Sequence, residues 1–332
     1  MRYTSCMKPC TLIIPVYNQK EVTRRCLESI FKHADSKQNV NLILVDDASV
    51  PETASFLFEI SKMPQKIPIR LLRFETNQGY IKSANAGLTA ATTPLVCLLN
   101  NDTVVTESWL ETMAAHFDRH PKIGMVTPQS TTYGLHPKRG ENVEDIARQL
   151  RTKFSDHFIE TAHCHGFCAL IKKEVLERIG VLDEAFGRGY FDDQDFTRRV
   201  LKEGYLSVIA QDAYVWHEEH ATFTTEDREK LFEKNRELFH TRWGKPKRIL
   251  AVARRIKDEA HASKIAETCL GLARGGNWVW LVGPQGYSEL VKETSRHANI
   301  RAHWLPRFWI PPYSAYLYLK RRKKPFDEVR SL

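Results

Sequence analysis

The 332-residue sequence has no run of 18 apolar residues, so no membrane-spanning helix is expected. Met1 to Cys10 lacks the apolar core of a secretory signal. The seven cysteines are odd in number and scattered, which argues against a disulfide framework and for free thiols in a reducing, cytoplasmic setting. The densest Cys/His stretch, His163-Cys164-His165-Gly166-Phe167-Cys168, has no C-x2-C pair and no second Cys/His pair nearby. It reads as packed cysteines leading into a strand rather than a zinc site. A net positive charge is also missing from most of the chain. The net charge is +9, but residues 245–332 hold 18 Lys+Arg against 7 Asp+Glu, leaving 31 against 33 elsewhere. The total therefore gives no support for nucleic-acid binding by the main body.

What is present is ordinary globular composition, 42% hydrophobic and 27% charged, on a chain long enough for one large domain with an appendage, or two domains. The organising stretch is Leu95-Val96-Cys97-Leu98-Leu99, a strand buried on both faces that runs directly into Asn100-Asn101-Asp102. Strands are also expected at Thr11–Val16, Asn41–Val45 and about Ile69–Phe74. They end in Pro15-Val16-Tyr17-Asn18, Asp46-Asp47-Ala48-Ser49 and Asn77-Gln78-Gly79. A helix follows each. Asn18 and Glu21 have the spacing of a capping box, and Pro51 suits a first helical turn. This is the βαβ rhythm of a doubly wound sheet, whose ligands bind beyond the carboxyl ends of the strands.

Further on, the pattern predicts a helix carrying Trp109, Leu110, Met113 and Phe117, then a short strand at Ile123–Val126. A loop over Thr127–Gly140 and a helix around Val143–Leu150 come next, followed by a strand at Phe167–Ile171 and a helix at Lys173–Ile179. Phe191-Asp192-Asp193-Gln194-Asp195-Phe196 then leads another helix. Two strands, Leu206–Ala210 and Ala213–Trp216, precede His217, and one long helix spans Thr225–Trp243. Lys245-Pro246-Lys247 reads as a linker. It separates a main domain, 1–244, from a basic α/β appendage, 245–332, that looks incomplete. The appendage lacks G-x-G-x-x-G, and Gly283-Pro284-Gln285-Gly286 reads as a turn. Its end carries Trp304, Phe308, Trp309, Tyr313, Tyr316 and Tyr318 before Lys320-Arg321-Arg322-Lys323-Lys324. Peripheral attachment to anionic lipid and plain packing under a solvated charge run both account for it.

Gathered at one sheet edge, Asp47, Asn77, Asp102, Asp192, Asp193, Asp195 and His217 would make an oxygen-rich site with one imidazole. Such a set suits Mg²⁺ or Mn²⁺ held jointly with substrate phosphates. A spare carboxylate there can take a proton from an incoming hydroxyl. Taken one by one, the acidic pairs also read as helix caps or solvated first turns.

The ordered motifs carry a resemblance. They are P-V-Y-N at Pro15–Asn18, V-D-D-A-S at Val45–Ser49, N-Q-G-Y-I-K-S-A-N-A-G at Asn77–Gly87 and L-L-N-N-D-T at Leu98–Thr103. G-F-C-A-L-I-K-K-E-V at Gly166–Val175, V-L-D-E-A-F at Val181–Phe186, F-D-D-Q-D-F at Phe191–Phe196 and V-W-H at Val215–His217 complete the series. The chain from Thr11 to Gly244 resembles the family 2 glycosyltransferases, including rhamnosyltransferase-like members.

The resemblance implies a GT-A fold and inverting transfer from a UDP-, dTDP- or GDP-linked sugar to a saccharide or lipid-linked acceptor in polysaccharide or glycan assembly, with Mn²⁺ or Mg²⁺. It implies donor contacts at Pro15, Tyr17, Asp47, Asn77, Gly79, Lys82 and Asn101, and metal ligands at Asp102 and His217. Asp193 would be the base, with Asp192 and Asp195 on the acceptor side. Asn100 stands where many members have Asp, one charge fewer beside the metal. Loops at Thr127–Gly140 or Glu218–Thr225 would close over the site. Two other readings stay open, a sugar-phosphate nucleotidyltransferase and a catalytically inactive nucleotide-binding protein of the same fold.

Overall fold

A computed structural model describes residues 7–33, 39–218, 225–321 and 324–332. Most of the Glu218–Thr225 loop, and Arg322 and Lys323 of the basic run, therefore lie outside the described residues. In chain order the elements are β1 (Cys10–Val16), α1 (Lys20–His33), β2 (Val40–Asp46), α2 (Pro51–Lys62), β3 (Ile69–Arg73), α3 (Tyr80–Ala90), β4 (Leu95–Leu99), β5 (Thr103–Val105), α4 (Trp109–Arg119) and β6 (Ile123–Gln129). They continue with α5 (Val143–Lys153), β7 (Phe158–Glu160), β8 (Cys168–Lys172), α6 (Lys173–Ile179), α7 (Asp192–Lys202), β9 (Leu206–His217) and α8 (Thr225–Trp243). The last are β10 (Arg248–Val252), α9 (Glu259–Arg274), β11 (Trp278–Pro284), α10 (Ser288–Thr294), β12 (Ile300–Leu305), α11 (Ile310–Lys320) and β13 (Glu328–Ser331). Contacts cluster into two units, 1–158 with 164–239, and 159–163 with 240–332.

In the first unit the sheet runs β3-β2-β1-β4-β8-β6-β9-β5. The neighbours β3, β2, β1 and β4 are parallel, and β8 enters antiparallel between β4 and β6. Every residue of β1 and β4 is buried, as uninterrupted apolar runs with helices on both faces require. Each large aliphatic side chain so buried contributes about 1.5–3 kcal/mol. Helix α3 lies so close to β1 that a Cβ on Gly87 would stand 2.2 Å from Cγ2 of Ile13.

Two local expectations are corrected and one strand is added. Asn18 and Glu21 form no capping box. Asn18 adopts φ 57°, its Oδ1 accepts from Val50 N at 2.9 Å, and Glu21 pairs with Arg24. The polar side chain joins the loops after β1 and β2 instead of closing the helix. The two strands expected over 206–216 are one strand, β9, with a register shift where it pairs β6. Gln211-Asp212 broke the apolar pattern, yet Asp212 is only 1% exposed because both its oxygens find donors inside. Finally, Thr103–Val105 is a strand, antiparallel to β9, with Thr103 opposite His217.

The second unit has its own parallel sheet, β12-β11-β10-β13. Ala262, Ile265, Ala266 and Cys269 of α9 cover one face, and Ile310 and Leu317 of α11 the other. The aromatic and basic end, to which the sequence pattern assigns no element, supplies a helix and a strand. Tyr313 packs against the core and Arg321 stacks on Trp280 at 4.1 Å, while Phe308, Trp309, Tyr316 and Tyr318 are exposed. Among the described residues the six cysteines are buried and unbridged.

Candidate active site

The carboxyl ends of β1, β2 and β4 open onto a cavity of about 430 Å³. Its lining includes Pro15, Tyr17, Asp47, Asn77, Gly79, Asn101, Asp102, Asp192, Asp193 and His217, drawn from segments far apart in sequence. Asn100 and Thr132 also line it. Two expected residues are not brought there. Lys82 is exposed and donates to Gln78 Oε1 at 3.3 Å. Asp195 is 1% exposed and accepts from Arg199 Nε at 2.9 Å, and that guanidinium also donates to the carbonyls of Ile179 and Val181. Asp195 thus fastens the segment before the acidic loop rather than facing the cavity.

Asp47 is spent on backbone. Its two oxygens accept from Gln78 N at 2.6 Å and Gly79 N at 2.8 Å, which fixes the loop that leads into α3. Gly79 has φ 88°, a conformation open to glycine at little cost. Asn101 donates its amide to Thr23 Oγ1 at 2.9 Å, tying the Asp102 turn to α1.

Asp102 and His217 meet because β5 pairs with β9. His217 Nε2 lies 3.2 Å from Asp102 Oδ1, and Glu218 N donates to the Asp102 carbonyl at 2.9 Å. The ring is held by Thr132 Oγ1 at Nδ1, 2.8 Å away, and by stacking on Phe167 at 5.0 Å. When Nδ1–H donates to Thr132, Nε2 turns a lone pair toward a carboxylate. Two acceptors at that separation call for a cation or a proton between them. One carboxylate oxygen and one imidazole nitrogen, about the separation of adjacent ligands on one ion, fit a Mn²⁺-type centre completed by substrate oxygens.

Asp192 and Asp193 open α7 after a strained turn. Tyr190 and Phe191 hold φ of 65° and 68°, each costing about 1–2 kcal/mol for an L-residue. The strain is held by α8. Asn235, fully buried, donates to the carbonyls of Phe186 at 2.7 Å and Gly189 at 2.6 Å, and Phe191 packs between Phe232 and Phe239. Asp193 Oδ2 accepts from Gly166 N at 3.0 Å and Oδ1 from Gln194 N at 2.7 Å. A Cβ on Gly166 would come 3.2 Å from that of Asp193. Burial, then the charge of Asp193, pushes the Asp192 carboxyl up to about 8.

Sequence reasoning missed Tyr80, Arg188 and Asn235. Burial, with Asp192, Asp193 and Asp102 nearby, raises the Tyr80 phenol well above its usual value, so it stays a neutral donor. Arg188 is the only Lys or Arg lining the cavity among the described residues. Its signal was a glycine on each side, Gly187-Arg188-Gly189, in a loop next to the acids.

The largely parallel sheet flanked by helices, with an acid and an imidazole at its strand ends, matches the GT-A class of fold. The profile of glycosyl transferase family 2 matches residues 11–180, more than half the chain, and the chain belongs to that family. A Haemophilus influenzae protein described as an uncharacterized glycosyltransferase is 26% identical over 200 residues, 58% of this chain and 62% of its own length. Glycosyltransferase GlyG of Streptococcus pneumoniae is 28% identical over 103 residues, 31% of this chain and 33% of the relative. The chain thus spans less than two thirds of each. S. aureus TarS 1-349 in complex with UDP-GlcNAc has the same fold, with a TM-score of 0.53 and 18% identity over 78% of this chain and 71% of that one. GalNAc-T7 with UDP, GalNAc and Mn2+ superposes with a TM-score of 0.51 and 13% identity over 70% and 50%.

Proposed function

We propose that the chain is a metal-dependent, inverting glycosyltransferase that moves a sugar from a nucleoside diphosphate to an acceptor hydroxyl. One observation supports this above the others. Asp102 with His217, and Asp192 with Asp193, face a single cavity although 115 residues separate Asp102 from His217 in the sequence. Family membership supports the donor class, since relatives in the family carry glycosyltransferase names.

In this reading Asp102 and His217 hold Mn²⁺ or Mg²⁺, which when bound neutralises the diphosphate as it departs. Pro15 and Tyr17 flank the base, while Asp47 keeps the Asn77–Gly79 loop in place beneath the donor. Arg188 offers a second positive charge to the diphosphate. Asp193 takes the acceptor proton. The acceptor oxygen bonds to the anomeric carbon as the bond to the diphosphate oxygen breaks on the opposite face, which inverts that carbon. The amides of Gly166 and Gln194 hold the base in position. Protonated Asp192 and neutral Tyr80 donate hydrogen bonds without adding charge. A lipid-linked acceptor at a membrane's cytoplasmic face would suit the exposed Phe308, Trp309, Tyr316 and Tyr318 of the second unit.

Thermal-shift screening of the full chain with UDP, dTDP and GDP, with and without Mn²⁺, tests the reading. One diphosphate should stabilise the protein by mass action only with the metal, and Asp102→Asn should remove that gain. No diphosphate gain with the metal would overturn it. Pyrophosphate among the products would identify a nucleotidyltransferase instead.

A further inference from the structure

A second cluster of metal-binding side chains lies in the first unit and shares no residue with the cavity. His116 sits in the last turn of α4 and His120 caps its end, so the two share one helical face. Asp156, on a turn with φ 62°, faces both. Its Oδ1 is 3.7 Å from His116 Nδ1 and 3.7 Å from His120 Nε2, and the three candidate ligand atoms lie within 4.8 Å of one another.

The arrangement is built rather than incidental. His116 is fully buried, and its Nε2 lies 2.9 Å from Oδ1 of the buried Asp212. The other oxygen of Asp212 accepts from the backbone amide of Asp156 at 2.8 Å. One carboxylate thus orients the His116 ring and holds the backbone at Asp156. A carboxylate at Nε2 favours a proton there, and in the neutral ring this leaves Nδ1 as a lone pair aimed at Asp156. His116 Nδ1 and His120 Nε2 are both buried atoms with no hydrogen-bond partner among the described residues. Leaving such atoms unsatisfied is costly, and a shared cation removes that cost. The Phe158 ring walls the cluster, edge-on to His116 at 5.9 Å and His120 at 4.9 Å.

We propose that His116, His120 and Asp156 bind a zinc-class divalent ion, with Asp212 as the carboxylate that orients His116. Two imidazoles and one carboxylate suit Zn²⁺ rather than Mg²⁺ or Ca²⁺, which favour oxygen throughout. Tetrahedral zinc places neighbouring ligand atoms about 3.3–3.5 Å apart, so the two 3.7 Å spacings need a small contraction and the two imidazoles, within 4.8 Å, must also draw together. The side chains of His120 and Asp156 are 38% and 40% exposed, which gives an entry path and leaves the fourth position to water. The ion would join the end of α4, the 154–157 turn and β9. Arg119 competes for it, because its Nη1 donates to the same Asp156 Oδ1 at 2.8 Å and must withdraw as the ion enters.

The test uses full-length Asp102→Asn protein, so that the catalytic cavity does not contribute, stripped with chelator and titrated with ZnCl2 by calorimetry and elemental analysis. One zinc per chain is expected, with a rise in melting temperature. His120→Ala, at a half-exposed position, should weaken binding at least about tenfold and leave the melting temperature of the stripped protein unchanged. Asp156→Asn provides the same readout should His120→Ala fail to fold. Arg119→Met should tighten binding. Zinc binding that is absent, or equal in Asp102→Asn and in its His120→Ala and Asp156→Asn derivatives, overturns the site and leaves His116–Asp212 a structural pair.

Discussion

Both units are built on parallel strands with helices packed against them, yet it is the first that gathers acids around a cavity at its strand ends. In the first unit the loops after β1, β2 and β4 carry Asn18, Asp46-Asp47 and Asn100-Asn101-Asp102. In the second, the loop after β10 carries Arg254-Arg255 and an Asp258 spent as the N-cap of α9, while β11 is followed by Gln285-Gly286 and β12 by Pro306-Arg307. The hollow beside α9 is lined by Lys257, His261 and Lys264 rather than by carboxylates. The sheet supplies a rim and the loop residues decide what it can hold. The first unit adds a feature the second lacks, an antiparallel pair, β5 with β9, that carries a distant histidine to the acid at the end of β4.

The largest expected effect breaks the comparison at its chemical end. Asp193→Asn should lower transfer about 10²–10⁴-fold, the range for a lost general base, with nucleotide-diphosphate affinity kept. Gly166→Ala should lower transfer by a smaller factor, because its Cβ would push on Asp193 at 3.2 Å. Removing an acid of the second unit, as in Glu267→Gln, should leave turnover unchanged. Steady-state kinetics and nucleotide titrations on the three variants check all of this. Unchanged transfer in Asp193→Asn removes that residue from the mechanism.

The next effect separates the units by pH. In the first, Asp192 titrates near 8 when folded, well above an unfolded aspartate. Between about 4 and 8 the native state binds the extra proton, so this unit loses stability as pH rises through that window, by a few kcal/mol. In the second, burial, with the positive charges of Arg274 and His163, pushes His297 down to about 3. Its unfolded state takes up the proton first, so this unit loses stability as pH falls from about 6.5 toward 3. Hydrogen exchange resolved by segment, on metal-free protein, should show opposite slopes. Asp192→Asn should flatten the first slope alone, and parallel slopes in the two units would contradict the assignment.

These contrasts also mark what could be read from sequence. The buried strands β1, β2 and β4 were legible because uninterrupted apolar runs ending in polar residues have few other uses. The acids at their ends were legible for the same reason. Strand β5 was not, since Thr103-Val104-Val105 is too short to show a period. With it went the reason that Asp102 and His217 meet. Gln211-Asp212 split β9 in the sequence because nothing local reveals that His116 and the Asp156 amide, 96 and 56 residues away, satisfy the aspartate. Asp195 and Lys82 share motifs with cavity residues, but a motif does not say which way a helical side chain points. Asn235 escaped notice because it serves carbonyls of a loop more than forty residues earlier.

The smallest effects compare one glycine from each unit, both inside helices. Gly87 of α3 touches β1, and a Cβ there would overlap Ile13 Cγ2 at 2.2 Å. Neither the strand, hydrogen-bonded on both sides, nor the fully buried isoleucine has room to move. Gly87→Ala should therefore destabilise the first unit by about 1–3 kcal/mol, the usual result of overpacking, even though alanine is the better helix former. Gly271 of α9 meets nothing within 4 Å and lies on an exposed face. There propensity acts alone, and Gly271→Ala should stabilise the second unit by about 0.5–1 kcal/mol. The same substitution thus carries opposite signs, because α3 at Gly87 is held against a buried strand and α9 at Gly271 faces solvent. Calorimetry with two resolved transitions, or segment-resolved hydrogen exchange, reads the two signs separately. A stabilising Gly87→Ala would mean that α3 stands further from β1 than 2.2 Å implies, and with it the Asn77–Gly79 loop that leads into the cavity.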